Sequence, residues 1–289
     1  MSSIIPQIIA NSLIAGSLYT LVGLGFFMIY RTVKFFDMSY GVLTTFGGYM
    51  MYWIFKLLGA HSILSFVLAL ALTGIISALM YQIVYRHLRK RESSNMVLLV
   101  ASLGLFTMMQ AIIAILFSSQ FQTISIPVLQ KSINIAGSFL THTQLLTIGL
   151  SIIVFTLLSF VLSKTRFGAS IRAIGDDEEV AKIVGINTKK VISWVFVIAG
   201  VIAGLAGLLV GLDTGIEPTM GMQLLLKAVI VVVIGGVGRI HGVIVGAFLL
   251  AFIENIAVWH ISGEWKDVIA FSVLIIFLLV KPNGITGSN

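Results

Sequence analysis

The 289-residue chain contains no cysteine. Disulfides, thiolate metal sites and thiol nucleophiles are thereby excluded. The five histidines stand apart, without the spacing of a metal site, so no metal is expected. Charge is scarce as well. Asp, Glu, Lys and Arg make up 10% of the residues, against about 25% in an ordinary soluble domain. These shortages exclude a soluble enzyme, a disordered protein and a nucleic-acid-binding domain. What remains is apolar: 58% of residues are hydrophobic and the mean hydropathy is +1.08. The 18 Lys and Arg exceed the 11 Asp and Glu, for a net charge of +7. In so apolar a chain, that excess reads as loops facing an anionic membrane leaflet rather than as a DNA footprint.

At about 20 residues per span, the length accommodates roughly eight or nine transmembrane helices and leaves no room for a soluble domain. The expected fold is an all-α, polytopic bundle, a single transmembrane domain over 1–289. Met1 to Ile5 carries no charged signal-peptide start, and the apolar run continues to Tyr30, so the first segment reads as a retained helix. Nine apolar segments follow from the sequence: Ile4–Tyr30, Phe35–Phe55, Ile63–Tyr85, Met96–Phe117, Phe139–Leu162, Val191–Leu212, Met222–Ile234, Val243–Val258 and Val268–Val280. The short seventh and eighth are either two spans joined by a tight glycine turn or one span plus a re-entrant piece; two spans are favoured. Basic residues cluster at Arg86–Arg91 and across Lys164–Lys190. Strict alternation then places 14 basic residues inside, three (Lys56, Lys131, Lys266) outside, and Lys227 within a span. The N-terminus falls outside, the stretch Gln120–Ser138 outside, and the C-terminus in the cytoplasm.

The 28 glycines are patterned. Gly200, Gly204, Gly207 and Gly211 recur every three or four residues on one helix face, a spacing that lets backbones approach closely in lipid. Gly242 and Gly246 repeat it. The run Gly235-Gly236-Val237-Gly238 lacks the spacing, preceding strand, lysine and hydroxyl of a nucleotide loop.

No catalytic constellation is present, so the chain is not expected to be an enzyme. Glu254 and Lys227 each sit inside an apolar segment, where an ionised group needs a partner or a polar interior. A structural ion pair, a snorkelling side chain and a transport role all remain open. Thr165–Lys190 is the informative loop. Asp176, Asp177, Glu178 and Glu179 suit a helix N-terminus. Val180, Ile183 and Val184 form an apolar stripe beside Ala181. Gly185 is a stop, and Asn187 or Thr188 can cap the next helix. The stripe lies outside the bilayer and must bury against membrane or protein; the acids at its start disfavour an anionic lipid surface. Asp37-Met38-Ser39-Tyr40-Gly41 combines a carboxylate, a hydroxyl and a ring at a helix entrance. It is either a capped helix start or a pathway element with Ser39 and Tyr40 on the substrate route and Asp37 paired to Arg31 or Lys34.

Glu179-Val180-Ala181-Lys182-Ile183-Val184-Gly185 resembles the E-A-A-x-x-x-G coupling motif of ABC-importer permeases. The run from Thr165-Arg166-Phe167-Gly168 to Val184-Gly185-Ile186-Asn187 is similar to the branched-chain amino acid ABC permease family, of the LivH type. The resemblance extends through Gly16-Ser17-Leu18-Tyr19, Gly47-Gly48-Tyr49, Ser102-Leu103-Gly104-Leu105, the Gly235–Gly246 region, Glu254 and Asn255. The sequence departs from the family at Asp37 and Tyr40, where an amide and a histidine are usual, and at Arg239 and His241. The resemblance implies a bacterial inner-membrane permease subunit that forms a heterodimer with a second related permease and works with two cytoplasmic ATPase subunits and an extracytoplasmic substrate-binding protein. It implies no cofactor on this chain, with ATP and Mg held by the partners. The coupling element would be Asp177–Gly185 within a loop at about 164–190, and the pathway would involve Asp37, Ser39, Tyr40, Gly41 and Gly104. The expected cargo is a branched-chain or other hydrophobic amino acid, with urea or a short amide as the alternative. An autonomous carrier or channel would instead show an inverted repeat and paired intramembrane charges, and a scaffold would leave the coupling-like loop unexplained.

Overall fold

A computed structural model describes residues 4–126, 129–135 and 137–286. The first three residues, where the retained-helix reading begins, and three positions of the Gln120–Ser138 stretch lie outside the described residues. Hydrocarbon offers no partner to backbone amides, so each apolar run closes its own hydrogen bonds as a helix. The order is α1 (Ile4–Val33), α2 (Ser39–Tyr52), α3 (Ser62–Met80), α4 (Arg86–Lys90), α5 (Asn95–Phe117), a hairpin of β1 (Ser132–Ile135) and β2 (Ser138–Thr141), then α6 (His142–Lys164), α7 (Arg166–Asp176), α8 (Glu178–Ile183), α9 (Thr188–Asp213), α10 (Met220–Gly235), α11 (Ile240–His260) and α12 (Lys266–Val280). π-helical turns extend α2 over Trp53–Leu57 and join α3 to α4 over Tyr81–Tyr85. All nine apolar segments form helices over most of their length, with two corrections: residues 35–38 precede α2 as non-helical chain, and residues 139–141, expected at the start of the fifth helix, pair in β2 instead.

Six of the described helices are long and apolar enough to cross a membrane. The chain is thus an all-α, multi-pass membrane protein. α10, with 16 residues, rises only about 24 Å, less than the roughly 30 Å of hydrocarbon. The seventh and eighth segments are two helices, joined through Gly236-Val237-Gly238-Arg239. Two features have no counterpart in the sequence reading: α7 is a helix of its own, and the β1–β2 hairpin pairs in antiparallel register, Ser132 with Thr141 and Ile135 with Ser138.

Contacts group the chain into two units. One comprises Met1–Phe27, Ser125–Phe155 and Leu226–Asn289; the other comprises Met28–Ile124 and Thr156–Leu225. The core of the second unit is α9 against α2 and α3. Its glycines meet two different helices. A Cβ on Gly200 would lie 2.4 Å from the Ser77 side chain of α3, and one on Gly207 would lie 1.7 Å from the Thr44 carbonyl oxygen of α2. Gly204 meets Thr73 of α3, while Gly47 of α2 backs onto Gly204 itself. Gly211 packs on Ile216. At one end of this unit lie Arg31, Lys34, α4 and the α7–α8 segment, tied together by the ion pairs of Arg31 with Asp176 and Arg89 with Glu178 and by a hydrogen bond from Lys34 to the Asp176 carbonyl. At the other, Lys56 donates to the Thr123 carbonyl, and Gln122 bridges to Ile216.

In the first unit the short α10 packs on α11 through glycines. A Cβ on Gly235 would stand 2.2 Å from the Gly242 carbonyl oxygen, and one on Gly246 would stand 2.4 Å from that of Val231. The last carbonyls of α10 would be orphaned at a bare helix end. Ile285 N–H and Thr286 N–H donate to Ile234 O (2.8 Å) and Gly235 O (3.1 Å).

Candidate functional site

Three clusters carry polar chemistry. The first is the α7–α8 segment. Thr165 caps α7 by accepting the Gly168 N–H at 3.2 Å. α7 ends at Asp176, whose carboxylate lies 3.0 Å from the Arg31 guanidinium and whose carbonyl accepts from Lys34 Nζ at 3.1 Å. Asp177 then accepts from the Glu179 and Val180 N–H groups at 2.8 and 3.1 Å, opening α8. The first-turn acids Glu178 and Glu179 complement the positive dipole end. Glu178 also pairs with Arg89, and with Lys182 at 3.2 Å. The helix closes in a Schellman motif: Gly185 N–H bonds to Lys182 O, Ile186 N–H bonds to Ala181 O, and Gly185 has φ +86°. Asn187 accepts the Lys190 N–H and starts α9.

The result is a short helix held from beneath, with its apolar stripe uncovered. Ala181 is buried, whereas Val180 is 54%, Ile183 82% and Val184 67% exposed. Removing such a surface from water is favourable by about 25 cal/mol per Å2. The geometry therefore presents a rigid, capped, apolar knob.

The second cluster surrounds Asp37. Its carboxylate does not meet Arg31 or Lys34; both of those are turned to Asp176. Asp37 is 1% exposed, and its Oδ1 accepts from Ser39 N–H (2.9 Å), Ser39 Oγ (2.6 Å) and Tyr85 Oη (2.7 Å). The expected gate pairing is thus corrected: local backbone geometry brings Ser39 within reach, and the fold delivers a tyrosine rather than a cation. Oδ2 has no hydrogen-bond partner among the described residues. Ser102 accepts the Met38 N–H at 3.0 Å. Tyr40 and Gly41 are buried, and a Cβ on Gly41 would lie 2.7 Å from the Gly221 carbonyl oxygen. Gly104 lies on an exposed face of α5, with open space where a side chain would begin.

The third cluster answers the question posed by Glu254 and Lys227: they pair with each other. Lys227 Nζ lies 2.7 Å from Glu254 Oε1, and Tyr19 Oη donates to Oε2 at 2.6 Å. Lys227 is also 2.9 Å from Asp267, and Lys266 is 3.8 Å from Glu254. Two cations and two anions thus compensate one another across α10, α11 and the start of α12, with α1 supplying the phenol.

Sequence reasoning did not single out Tyr85, Arg89 or Asp267 for any of these clusters. Arg89 had a signal, being one of a basic run opposite an acidic one. Tyr85 had none, because its partner is 48 residues away.

The chain matches the family model described as the permease component of branched-chain amino acid transport systems over residues 8–278. It is 30% identical to the high-affinity branched-chain amino acid transport system permease protein BraD of Pseudomonas aeruginosa, covering 97% of this chain and 95% of that one. It is 29% identical to the corresponding permease protein LivH of Salmonella typhimurium, covering 96% and 94%. In fold it is similar to a solved structure of PsaBC from Streptococcus pneumoniae in complex with Fab, with a TM-score of 0.53 at 12% identity, over 96% of this chain and 92% of that one. With nearly the whole chain matched and its apolar helices in place, this protein belongs to the family of branched-chain amino acid transport system permease components.

Proposed function

We propose that this chain is the translocation subunit of an ABC importer for branched-chain or other hydrophobic amino acids. The observation that carries the reading is the exposed stripe of Val180, Ile183 and Val184 on α8, which Arg89 holds through Glu178 while Arg31 and Lys34 hold the preceding end of α7 at Asp176. Such a stripe fits a groove on a cytoplasmic ATPase subunit, and the bracing passes movement of that subunit to α1 and α4. In this reading ATP and Mg are bound and ATP is hydrolysed on two ATPase partners. A second related permease completes the pathway, and an extracytoplasmic binding protein delivers cargo. The basic end of the helices then faces the cytoplasm, with the N-terminus outside and the C-terminus inside. ATP binding favours one facing state of the pathway and release favours the other. The cargo assignment rests on the chain's similarity to permeases of branched-chain amino acid transport systems.

The test is ATP-dependent uptake in vesicles containing this chain, with and without the ATPase subunits and the binding protein. Leucine, isoleucine and valine should accumulate only with all components present. Accumulation without the ATPases would identify an autonomous carrier, and uptake of urea or a short amide in preference to leucine would overturn the cargo.

A further inference from the structure

We propose that a cleft between the π-helical turn and α4, which follow α3, and the start of α9 binds the headgroup of an anionic phospholipid. The cleft, of about 350 Å3, is lined by Gln82, Arg86, Asn187, Lys189, Lys190 and Trp194 among others. It holds three cations and no carboxylate. The adjoining cavity, of about 460 Å3, shares Arg86 and Lys189 with it and adds Glu92, Glu178 and Glu179, of which Glu178 pairs with Arg89 and Lys182 rather than with Arg86 or Lys189. Among the described residues, Arg86, Lys189 and Lys190 make no ion pair. Three uncompensated charges converging on one cleft call for an anion from outside the chain.

The surroundings specify which anion. The cleft lies near the ends of two stretches long and apolar enough to cross a membrane, Ser62–Lys90 and Thr188–Asp213, where headgroups would be met. Trp194, 52% exposed, stands in its wall, and indoles favour that interface. Leading away from it along α3 and its π-helical extension, Ile75, Leu79 and Ile83 are 54%, 42% and 66% exposed at four-residue spacing. That stripe offers an acyl chain an apolar track beneath a phosphate held by Arg86, Lys189 and Lys190. Basic pockets between spans on the cytoplasmic side are suited to anionic headgroups. A soluble phosphate would use the cations and leave the indole and the track without purpose.

The experiment uses the full chain with Trp53, Trp259 and Trp265 replaced by Phe, so that Trp194 alone fluoresces. It is reconstituted in phosphatidylcholine discs containing brominated phosphatidylglycerol or brominated phosphatidylcholine. Brominated phosphatidylglycerol should quench Trp194 more strongly at equal mole fraction. Each of Arg86→Gln, Lys189→Gln and Lys190→Gln should weaken that preference about fivefold, whereas Lys164→Gln should leave it intact. Equal quenching by the two lipids, or a preference surviving in the triple variant, overturns the proposal. Abolition of the preference by inorganic phosphate assigns the cleft to a soluble anion and also overturns it. Native mass spectrometry of the unmodified chain gives a reading independent of folding in the variants: phosphatidylglycerol should be retained over phosphatidylethanolamine, and no enrichment counts against the site.

Discussion

Glu254 is fully buried in an apolar helix, and both of its oxygens are occupied. Its ionised form is tolerable only while Lys227 and Tyr19 stay in place. Removing one member of a buried pair leaves an uncompensated charge, at a cost of about 3–5 kcal/mol. Lys227→Met should therefore destabilise the purified permease by that amount in thermal unfolding. The double variant Lys227→Met/Glu254→Gln should lose clearly less than the sum of the two single losses. Additive losses would show that the two groups do not depend on each other. At Asp37 the carboxylate accepts three hydrogen bonds. Tyr85→Phe deletes one of them and should cost about 1–3 kcal/mol. If Asp37→Asn and Tyr40→Phe both leave uptake unchanged in the assembled transporter, this cluster is a capped helix start and not part of the route. A charge stranded in an apolar run is legible in sequence, because its cost announces a missing partner. Which partner arrives is not: nothing local links Asp37 to Tyr85.

Among the elements, α8 is the most self-contained. Asp177 caps it, Glu178 and Glu179 fill its first turn, and Gly185 ends it with φ +86°. A Cβ at Gly185 would meet open space, so the penalty of Gly185→Val is purely torsional, about 1 kcal/mol or more. Ile183→Asp alters only an exposed position. Both variants should reach the membrane at normal levels yet lose transport, because the knob no longer fits its groove. Co-purification of the ATPases, and stimulation of hydrolysis by the loaded binding protein, should fall with it. Normal uptake in both variants would remove this segment from the coupling role. α8 could be read from residues because caps, first-turn acids and a C-terminal glycine act within a few positions of one another. α7 could not: its partners, the α6 carbonyls and Arg31, come from packing, and Gly175 admits the Arg31 carbonyl where a Cβ would lie 2.2 Å away.

For the whole molecule, the distribution of Lys and Arg predicts sidedness. Single cysteines can be introduced into this naturally cysteine-free chain. In intact cells, positions 90 and 182 should resist a membrane-impermeant thiol reagent and position 131 should react. Labelling at 90 or 182 without permeabilisation would invert the topology. The ion pairs of Arg31 with Asp176 and of Arg89 with Glu178 already require these segments to share one side, so 90 and 182 should behave alike in either orientation.

Composition and hydrophobic run length by themselves determined that the chain is helical and multi-pass, because a backbone in hydrocarbon has no alternative to the helix. The spacing of small residues announced close helix contacts, and local capping chemistry announced α8. Tertiary structure alone decided the partners. It split the α9 glycines between α2 and α3, turned Arg31 and Lys34 from Asp37 to Asp176, and closed Lys227 on Glu254. Run length and capping act through the backbone over a turn or two of chain. Partner choice depends on which helix faces which, and that is settled only when all the interfaces pack at once.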